Sequence, residues 1–108
     1  MRTAICALLM LSFGGAVSAG QVYGTIVQNG QPLRRAPVEL RCSGETASDV
    51  TDDDGVYRLF VRATGSCQFV VEPKGRNVAA AIYSYDRPTG YNFDLMIDRN
   101  GRWELVRR

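Results

Sequence analysis

The sequence predicts an all-β protein: an antiparallel β-sandwich with Greek-key connections and about seven strands, within a range of six to eight. Three observations support this fold class. Short segments of alternating apolar and polar residues recur along the chain, turn residues separate them at regular spacing, and no segment convincingly predicts a helix. No internal repeat or low-complexity linker interrupts the pattern, so residues 20–108 are predicted to form a single domain.

Residues 1–19 have the pattern of a secretory signal peptide. Arg2 supplies a positive charge, an apolar run follows, and small residues lead to Ala19, which fits cleavage before Gly20. The apolar run is shorter than the roughly 20 residues that span a bilayer. The mature chain, residues 20–108, is therefore expected to be exported to the periplasm or the extracellular space, without a membrane span.

Two strands are predicted in the first part of the mature chain. Gln21–Val27 is rich in β-branched and aromatic residues, and its internal glycine indicates a bulge or close packing. The dipeptide Asn29-Gly30 predicts a turn. Alternate residues of Val38–Cys42 are apolar and should face the core. Residues 43–49 are polar and predict a loop, with a short edge strand at residues 50–51.

The acidic turn Thr51–Gly55 leads into the strand around which the core is predicted. Its closing glycine can adopt a positive φ, and Asp side chains can accept hydrogen bonds from nearby backbone N–H groups. Tyr57, Leu59 and Val61 then fall on one face of the strand. Cys67–Glu72 alternates in the same way, so its apolar residues should also face the core.

The last part of the chain predicts three more strands. Val78–Tyr85 fits a helix or a strand, and its short length and the turn residues after it favour a strand. Tyr91–Asp98 alternates most regularly, with four side chains expected to face inward: Tyr91, Phe93, Leu95 and Ile97. Asn100-Gly101 predicts the turn of a hairpin that continues into Trp103–Arg107.

Two cysteines remain after removal of the signal peptide, Cys42 and Cys67. An even pair in an exported chain predicts a disulfide rather than free thiols or a metal pair. The chain contains no histidine, so a metal pair would lack further ligands. Both cysteines occupy inward positions of their strands, which is compatible with a bridge. Such a bridge should stabilise the domain by about 3 kcal/mol.

The charge pattern argues against nucleic-acid binding. The chain has 13 Lys and Arg residues against 11 Asp and Glu residues, and Arg2 leaves with the signal peptide. The remaining basic residues are scattered along the chain. A protein that follows a phosphate backbone needs a dense basic patch, which this sequence does not contain.

The order and spacing of several segments resemble a known family. They are Val22–Ile26, Gly30–Leu33 leading to Ala36–Leu40, Thr51-Asp52 with Gly55–Leu59, and Gly65 before Phe69–Val71. The chain thereby resembles the carboxypeptidase regulatory-like domains, which have the transthyretin or prealbumin-like β-sandwich fold. The resemblance implies a stand-alone, exported accessory or binding domain without catalytic activity.

The histidines that related enzymes need are missing. Hydroxyisourate hydrolases of the transthyretin class require histidines and a C-terminal tyrosine motif, whereas this chain has no histidine and ends Val106-Arg107-Arg108. Ring-cleaving dioxygenases of similar topology require histidine and tyrosine iron ligands. A serine or cysteine nucleophile would likewise lack a histidine base. The sequence therefore predicts a protein that is not an enzyme and uses no cofactor.

An acidic cluster precedes the central strand. Its members are Asp49, Asp52, Asp53 and Asp54, whose carboxylates could supply oxygen ligands to calcium. The spacing departs from the EF-hand pattern, because Val61 stands where the closing glutamate would be. A calcium loop remains the alternative to the simpler interpretation, a solvated turn.

Three aromatic residues form the candidate interaction surface: Tyr83, Tyr85 and Trp103. Tyr83 and Tyr85 share one face of their strand, opposite Ile82, and one of these two faces should be outward. The predicted function is that of an exported binding or structural module that contacts a protein partner through this face or through an edge strand. Two alternatives remain open: a carbohydrate-binding module that uses exposed aromatics, and a small inhibitor or immunity protein of an exported enzyme.

Overall fold

The computed structural model describes residues 20–108, so the predicted signal peptide lies outside the described part of the chain. The strands are β1 (Gln21–Gln28), β2 (Gln31–Pro32), β3 (Pro37–Cys42), β4 (Glu45–Val50), β5 (Val56–Phe60), β6 (Gly65–Val71), β7 (Val78–Ser84), β8 (Thr89–Gly90), β9 (Phe93–Ile97) and β10 (Trp103–Arg107). They form two packed sheets, which confirms the predicted β-sandwich, with ten strands in place of about seven. The additional strands are β4 and the two-residue strands β2 and β8.

β1 is the central strand of the first sheet. β5 and then β2 pair with one edge of β1 in antiparallel orientation, while β8 and then β9 pair with its other edge in parallel orientation. β10 completes the sheet as the antiparallel neighbour of β9. The parallel pairs depart from the predicted antiparallel arrangement. They arise because the chain returns from the second sheet after β7 and enters the first sheet alongside β1.

The second sheet is antiparallel throughout, with the order β4-β3-β6-β7. Residues 43–49 were predicted to form a loop, but they form a tight turn and most of β4. Gly44 closes that turn with a φ of 74°. The loop prediction was wrong because the inward positions of β4 include Glu45 and Asp49, so the strand lacks the apolar alternation of its neighbours.

The core lies between the two sheets. The side chains predicted to face inward from β5 and β6 and the residues next to them are buried: Tyr57, Leu59, Val61, Cys67, Phe69 and Val71. Three aromatic rings form the centre of the core, because the ring centroid of Phe69 lies 4.9 Å from those of Tyr57 and Phe93. Such pairs stabilise a core beyond the area that they bury. The alternating pattern therefore identified the core side of both strands correctly.

One predicted inward position of β9 is exposed. Phe93 and Leu95 are buried, as is Tyr91 just before the strand, but Ile97 is 51% exposed. The pairing of β1 with β9 ends at Gln28 and Leu95. Ile97 therefore lies beyond the end of β1, and its inward position in the alternating pattern of β9 does not bury it there.

A disulfide joins Cys42 of β3 to Cys67 of β6, as predicted. Glu72 N–H donates to the carbonyl of Pro37, so these two residues form a hydrogen-bonded pair. Pairs with and without backbone hydrogen bonds then alternate along β3 and β6 from that point. Cys42 and Cys67 consequently face each other in a pair without backbone hydrogen bonds. Their Cα–Cα distance of 4.4 Å agrees with the roughly 4.5 Å of such pairs. A disulfide is compatible with an oxidising, exported location.

Two glycines permit close backbone contacts around β1. Gly55 closes the acidic turn with a φ of 77°, as predicted, and a Cβ at this position would press on the carbonyl oxygen of Ile26. A Cβ at Gly24 would collide with the carbonyl oxygen of Tyr91. The close packing predicted from Gly24 is therefore present, and it lets the chain between β8 and β9 lie against β1.

Candidate protein-binding surface

The outward side chains of the second sheet carry no net charge. Alternate residues of β3, β4, β6 and β7 point away from the core, and we call the surface that they form the neutral face: Pro37, Glu39, Arg41, Thr46, Ser48, Val50, Ser66, Gln68, Val70, Ala79, Ala81 and Tyr83. Glu39 and Arg41 are the charged members, and they form an ion pair at 2.6 Å. Two charged residues among twelve is close to the 22% of the whole chain, so the face is distinguished by the pairing of its two charges with each other and not by their number.

Tyr83 and Tyr85 lie at the border of the neutral face. β7 turns Ile82 and Ser84 inward, which places Tyr83 outward with 47% of its surface exposed. Tyr85 follows the strand and is 37% exposed. The two ring centroids are 4.9 Å apart, and the ring planes are inclined by 49°. The guanidinium of Arg87 lies over the Tyr85 ring, 5.0 Å from its centroid.

A shallow depression lies on the neutral face. Val70 contributes to its floor and is 3% exposed, although it points away from the core. The rim includes Pro37, Glu39, Ser48, Val50 and Glu72. The depression measures about 220 Å³, which is smaller than the roughly 300–1,000 Å³ of typical small-molecule pockets. Its size suits a single side chain of another protein.

Trp103 does not join the two tyrosines. It is partly buried, packs against the core and lies opposite Ile97 in the β9–β10 pair. The guanidinium of Arg76 lies over its ring, 5.9 Å from the centroid. Arg76 precedes the start of β7, whereas Tyr83 lies near the end of that strand. The three aromatic residues predicted as one surface therefore occupy two separate places.

The four aspartates of the acidic cluster do not converge. Asp52 Oδ1 accepts hydrogen bonds from the N–H groups of Asp54 and Val56, both at 2.9 Å, and so shapes the turn. Asp53 forms an exposed ion pair with Arg35 at 2.9 Å. Within residues 20–108, no group of three or more Asp, Glu, Cys or His side chains is arranged to hold a metal ion.

Asp52 has a lowered pKa. The hydrogen bond from the N–H of Val56 is the largest cause, followed by the bond from the N–H of Asp54, and the positive charge of Arg58 adds to both. Each of these interactions favours the ionised carboxylate. The acidic turn is therefore held by a charged side chain that bonds to the backbone.

Three carboxylates along β4 and the acidic turn bond to the outer edge of β5. Asp49 Oδ2 accepts from the N–H of Arg58 at 2.8 Å, and Asp52 accepts from the N–H of Val56. Glu45 accepts from the N–H of Arg62 at 3.0 Å, just after the strand. We call Glu45, Asp49 and Asp52 the acidic seam, since they connect the edges of the two sheets. This role was not predicted from the sequence. The local signal for it was the position of Glu45 and Asp49 four residues apart, which places both on one face of a strand.

The opposite side of the sandwich is closed by tyrosines. The N–H of Tyr83 donates to the hydroxyl oxygen of Tyr91 at 3.2 Å, and that hydroxyl donates to the carbonyl of Tyr83 at 2.7 Å. The buried Tyr57 hydroxyl donates to the carbonyl of Tyr91 at 2.7 Å. Burial raises the pKa of Tyr57, and the neighbouring Tyr91 raises it further. We call Tyr57, Tyr83 and Tyr91 the aromatic seam.

Met96 and Ile97 form a second exposed apolar area, far from the neutral face in the fold. They are 52% and 51% exposed at the end of β9, beside the Asn29-Gly30 turn. Met96 belongs to the outer side of the first sheet, where it lies opposite Glu104 of β10. Met96 therefore provides a matched control for experiments on the neutral face.

No helix in residues 20–108 is long and apolar enough to cross a membrane. Comparisons with protein-family models and with curated proteins found no match for this chain. Its function is therefore inferred from the neutral face and the residues around it.

Proposed function

We propose that the protein is an exported, non-catalytic binding module that contacts another protein through the neutral face, with Tyr83 and Tyr85 at the border of the contact. The observation that carries the proposal is that the two charges among these outward residues are paired with each other, beside two exposed tyrosines. The centres of protein–protein interfaces are depleted in charged residues and enriched in tyrosine. As part of the same proposal, we assign the chain to the carboxypeptidase regulatory-like domains that its sequence resembles.

The partner that fits this face is a protein surface with few charges and one protruding apolar side chain. Ala79, Ala81 and Ser66 are small and leave a flat area beside Tyr83. The depression above Val70 would receive the protruding side chain. Glu39 is already paired with Arg41, so a charged partner residue would lose its hydration there without gaining a free opposite charge.

The geometry of the aromatic residues favours a protein over a carbohydrate. Sugars stack on the open face of an aromatic ring, and several such rings usually form a common platform. Here Arg87 covers Tyr85 and Arg76 covers Trp103. Tyr83 is inclined by 49° to Tyr85. A sugar that stacks on the covered face of either ring would have to displace its arginine, whereas a protein partner can contact tilted tyrosines and their arginines directly.

The titratable groups support the non-catalytic part of the proposal. Perturbed pKa values often mark catalytic residues. Asp52 and Tyr57 are the perturbed groups that stand out among the described residues, and each has a structural role: Asp52 holds a turn, and Tyr57 donates to a buried carbonyl. The whole chain also lacks histidine, the commonest general base.

The test is capture of partners by the tagged, disulfide-bonded protein from the periplasm or the culture supernatant of its source. Wild type should recover a reproducible partner. The double variant Y83A/Y85A and the variant Ala81→Arg should weaken that binding at least about tenfold, or about 1.4 kcal/mol. The exposed control Met96→Ala should bind like wild type.

Three outcomes would contradict the proposal: no reproducible partner, a partner that binds the variants as tightly as wild type, or a glycan-array signal that disappears in Y83A/Y85A. Identification of the partner also decides between a general binding module and an inhibitor or immunity protein. In the latter case the captured protein is an exported enzyme whose activity falls when the two are mixed.

A further inference from the structure

Each sheet ends in outer strands that have no neighbouring strand on one side. These outer edges differ in the side chains that cover their backbone groups. The acidic seam bonds to the N–H groups on the outer edge of β5. The hydroxyl of Tyr91 occupies both backbone groups of Tyr83, one of three β7 residues (Ala79, Ala81 and Tyr83) whose backbone groups face the outer edge. β10 is the other edge strand of the first sheet, and charged residues lie within it and next to it: Arg102, Glu104, Arg107 and Arg108. Charged residues and covering groups are the usual means of preventing edge-to-edge pairing.

β4 has two charged side chains, Glu45 and Asp49, but both point inward and accept hydrogen bonds from the chain at β5, so its outward side chains carry no charge. The hydrogen bond from Glu72 to Pro37 fixes which residues of β3 direct their backbone N–H and C=O groups towards β6. The residues that alternate with them direct these groups towards β4. It follows that the backbone groups of Glu45, Ala47 and Asp49 face β3. Those of Thr46, Ser48 and Val50 point away from the sheet, at its free edge. The side chains of these three edge residues are uncharged and exposed.

We propose that two copies of this chain pair through their β4 strands, in antiparallel orientation, with Ser48 on the two-fold axis. Thr46 of one copy then lies opposite Val50 of the other. The contact forms about six backbone hydrogen bonds and joins the two four-stranded sheets into one continuous sheet. The neutral faces of the two copies become one surface. The pairing does not depend on the proposed function, since it uses the strand edge and not the outer side chains.

The carboxylates of β4 select this register over its neighbours. With Ser48 on the axis, Asp49 lies opposite Ala47 of the second copy, and Glu45 lies opposite Thr51. A shift of the register by two residues in one direction places Glu45 opposite Asp49 of the second copy. A shift by two residues in the other direction places Asp49 opposite Asp49 of the second copy. Like charges that face each other directly across two strands are destabilising. Of these three registers, the Ser48-centred pair is therefore the one without facing carboxylates.

The edge suits a second copy because an isologous contact has to be complementary to itself. A central serine, with threonine opposite valine on both sides, meets this condition without a charged pair on the exposed side. The β4 strand also contains no proline, and none of its six residues is lysine or arginine. A foreign strand added to the same edge is the competing outcome, and the experiment separates the two.

The first experiment is sedimentation analysis of residues 20–108 with the disulfide intact, over a concentration series. Wild type should form a reversible dimer. Ser48→Pro removes the central N–H from both copies, and Ser48→Lys places two like charges on the axis, so both should weaken the dimer at least about tenfold. Gln68→Lys adds the same charge to an interior strand of the same face and should leave the dimer unchanged. Ser48→Lys keeps the test valid if the proline variant does not fold.

A second experiment tests the register. Residues opposite each other in a hydrogen-bonded antiparallel pair have Cα atoms about 5.5 Å apart, which is within the range that a disulfide spans. Ser48→Cys should therefore cross-link into a dimer on mild oxidation and return to a monomer on reduction. Gln68→Cys is exposed on the same face and should remain monomeric.

Three results would overturn the inference: a wild-type chain that is monomeric at every concentration, a dimer that survives in both Ser48→Pro and Ser48→Lys, or equal cross-linking of the two cysteine variants. A monomer that gains a foreign strand at β4 would also overturn it. A dimer that dissociates in Y83A/Y85A but not in Ser48→Lys would place self-association on the neutral face instead of the edge.

Discussion

The acidic seam and the aromatic seam close the two sides of the sandwich by different chemistry. In both seams, side chains form hydrogen bonds with backbone groups that do not take part in strand pairing. The acidic seam uses carboxylates near solvent, each of which accepts one or more N–H groups. The aromatic seam uses the hydroxyls of Tyr57 and Tyr91, whose rings also fill the core. One seam therefore stabilises mainly through charge, and the other through burial and packing.

This difference predicts how each seam can be weakened. A buried aromatic residue contributes through the area that it removes from water as well as through its hydrogen bonds. A carboxylate near solvent exchanges hydration for its bonds and contributes less. The seams should also respond to opposite extremes of pH, because one depends on ionised groups and the other on neutral ones.

The largest effect is expected from Tyr91→Ala. It removes a buried ring and both bonds to Tyr83, and we expect a loss of about 3–5 kcal/mol in the free energy of unfolding. Tyr91→Phe keeps the ring and should cost about 1–2 kcal/mol. Urea unfolding of both variants measures the difference. Tyr85→Phe is the exposed control, and a Tyr91→Ala protein as stable as this control would show that the aromatic seam is dispensable.

A smaller effect is expected from Glu45→Ala. The Glu45 carboxylate accepts from the N–H groups of Arg62 and Ala63, and their loss should cost about 1–2 kcal/mol. Glu104→Ala, an exposed glutamate on β10, should change the free energy of unfolding by less than about 0.5 kcal/mol. Equal effects of the two substitutions in urea unfolding would mean that the acidic seam adds no stability at this point.

Alkali should weaken the aromatic seam. The pKa of Tyr57 is raised above its ordinary value of 10.0 by burial, so the folded state favours the neutral phenol. The stability that this preference contributes is complete below pH 10 and is lost as the pH rises from there towards the folded pKa. Tyr57→Phe should be less stable than wild type at neutral pH and should lose less stability above pH 10. Urea midpoints that fall equally in both proteins would contradict this assignment.

Acid should weaken the acidic seam, with the smallest effect of the four. The pKa of Asp52 lies below its ordinary value of 3.8 because the N–H groups of Val56 and Asp54 favour the carboxylate. Its contribution is present above pH 3.8 and is lost as the pH falls through the folded pKa. Asp52→Asn should have a shallower acid limb in a plot of urea midpoint against pH. Identical acid limbs for the variant and wild type would rule out a role for the Asp52 charge.

Features that depend on neighbouring residues could be predicted, and features that depend on residues distant in the sequence could not. Tyr57 and Phe69 lie in strands whose two-residue alternation is a local property, and both are buried as predicted. β4 was missed because its inward residues Glu45 and Asp49 serve the edge of another sheet. Their partners lie 17 and 9 residues further along the chain, outside any short sequence pattern. Ile97 was placed wrongly because the alternation does not show where its neighbour β1 ends.

The sequence by itself determined the core faces of β5 and β6, the turn at Gly55 and the pairing of Cys42 with Cys67. Local alternation, positive φ and the number of available cysteines are enough for these features. Only the tertiary structure decided that the acidic cluster closes a strand edge, that Trp103 lies apart from Tyr83, and that the outward side chains of the second sheet form one face with paired charges. These features depend on how two sheets stack, and residues distant in the sequence meet only after that stacking.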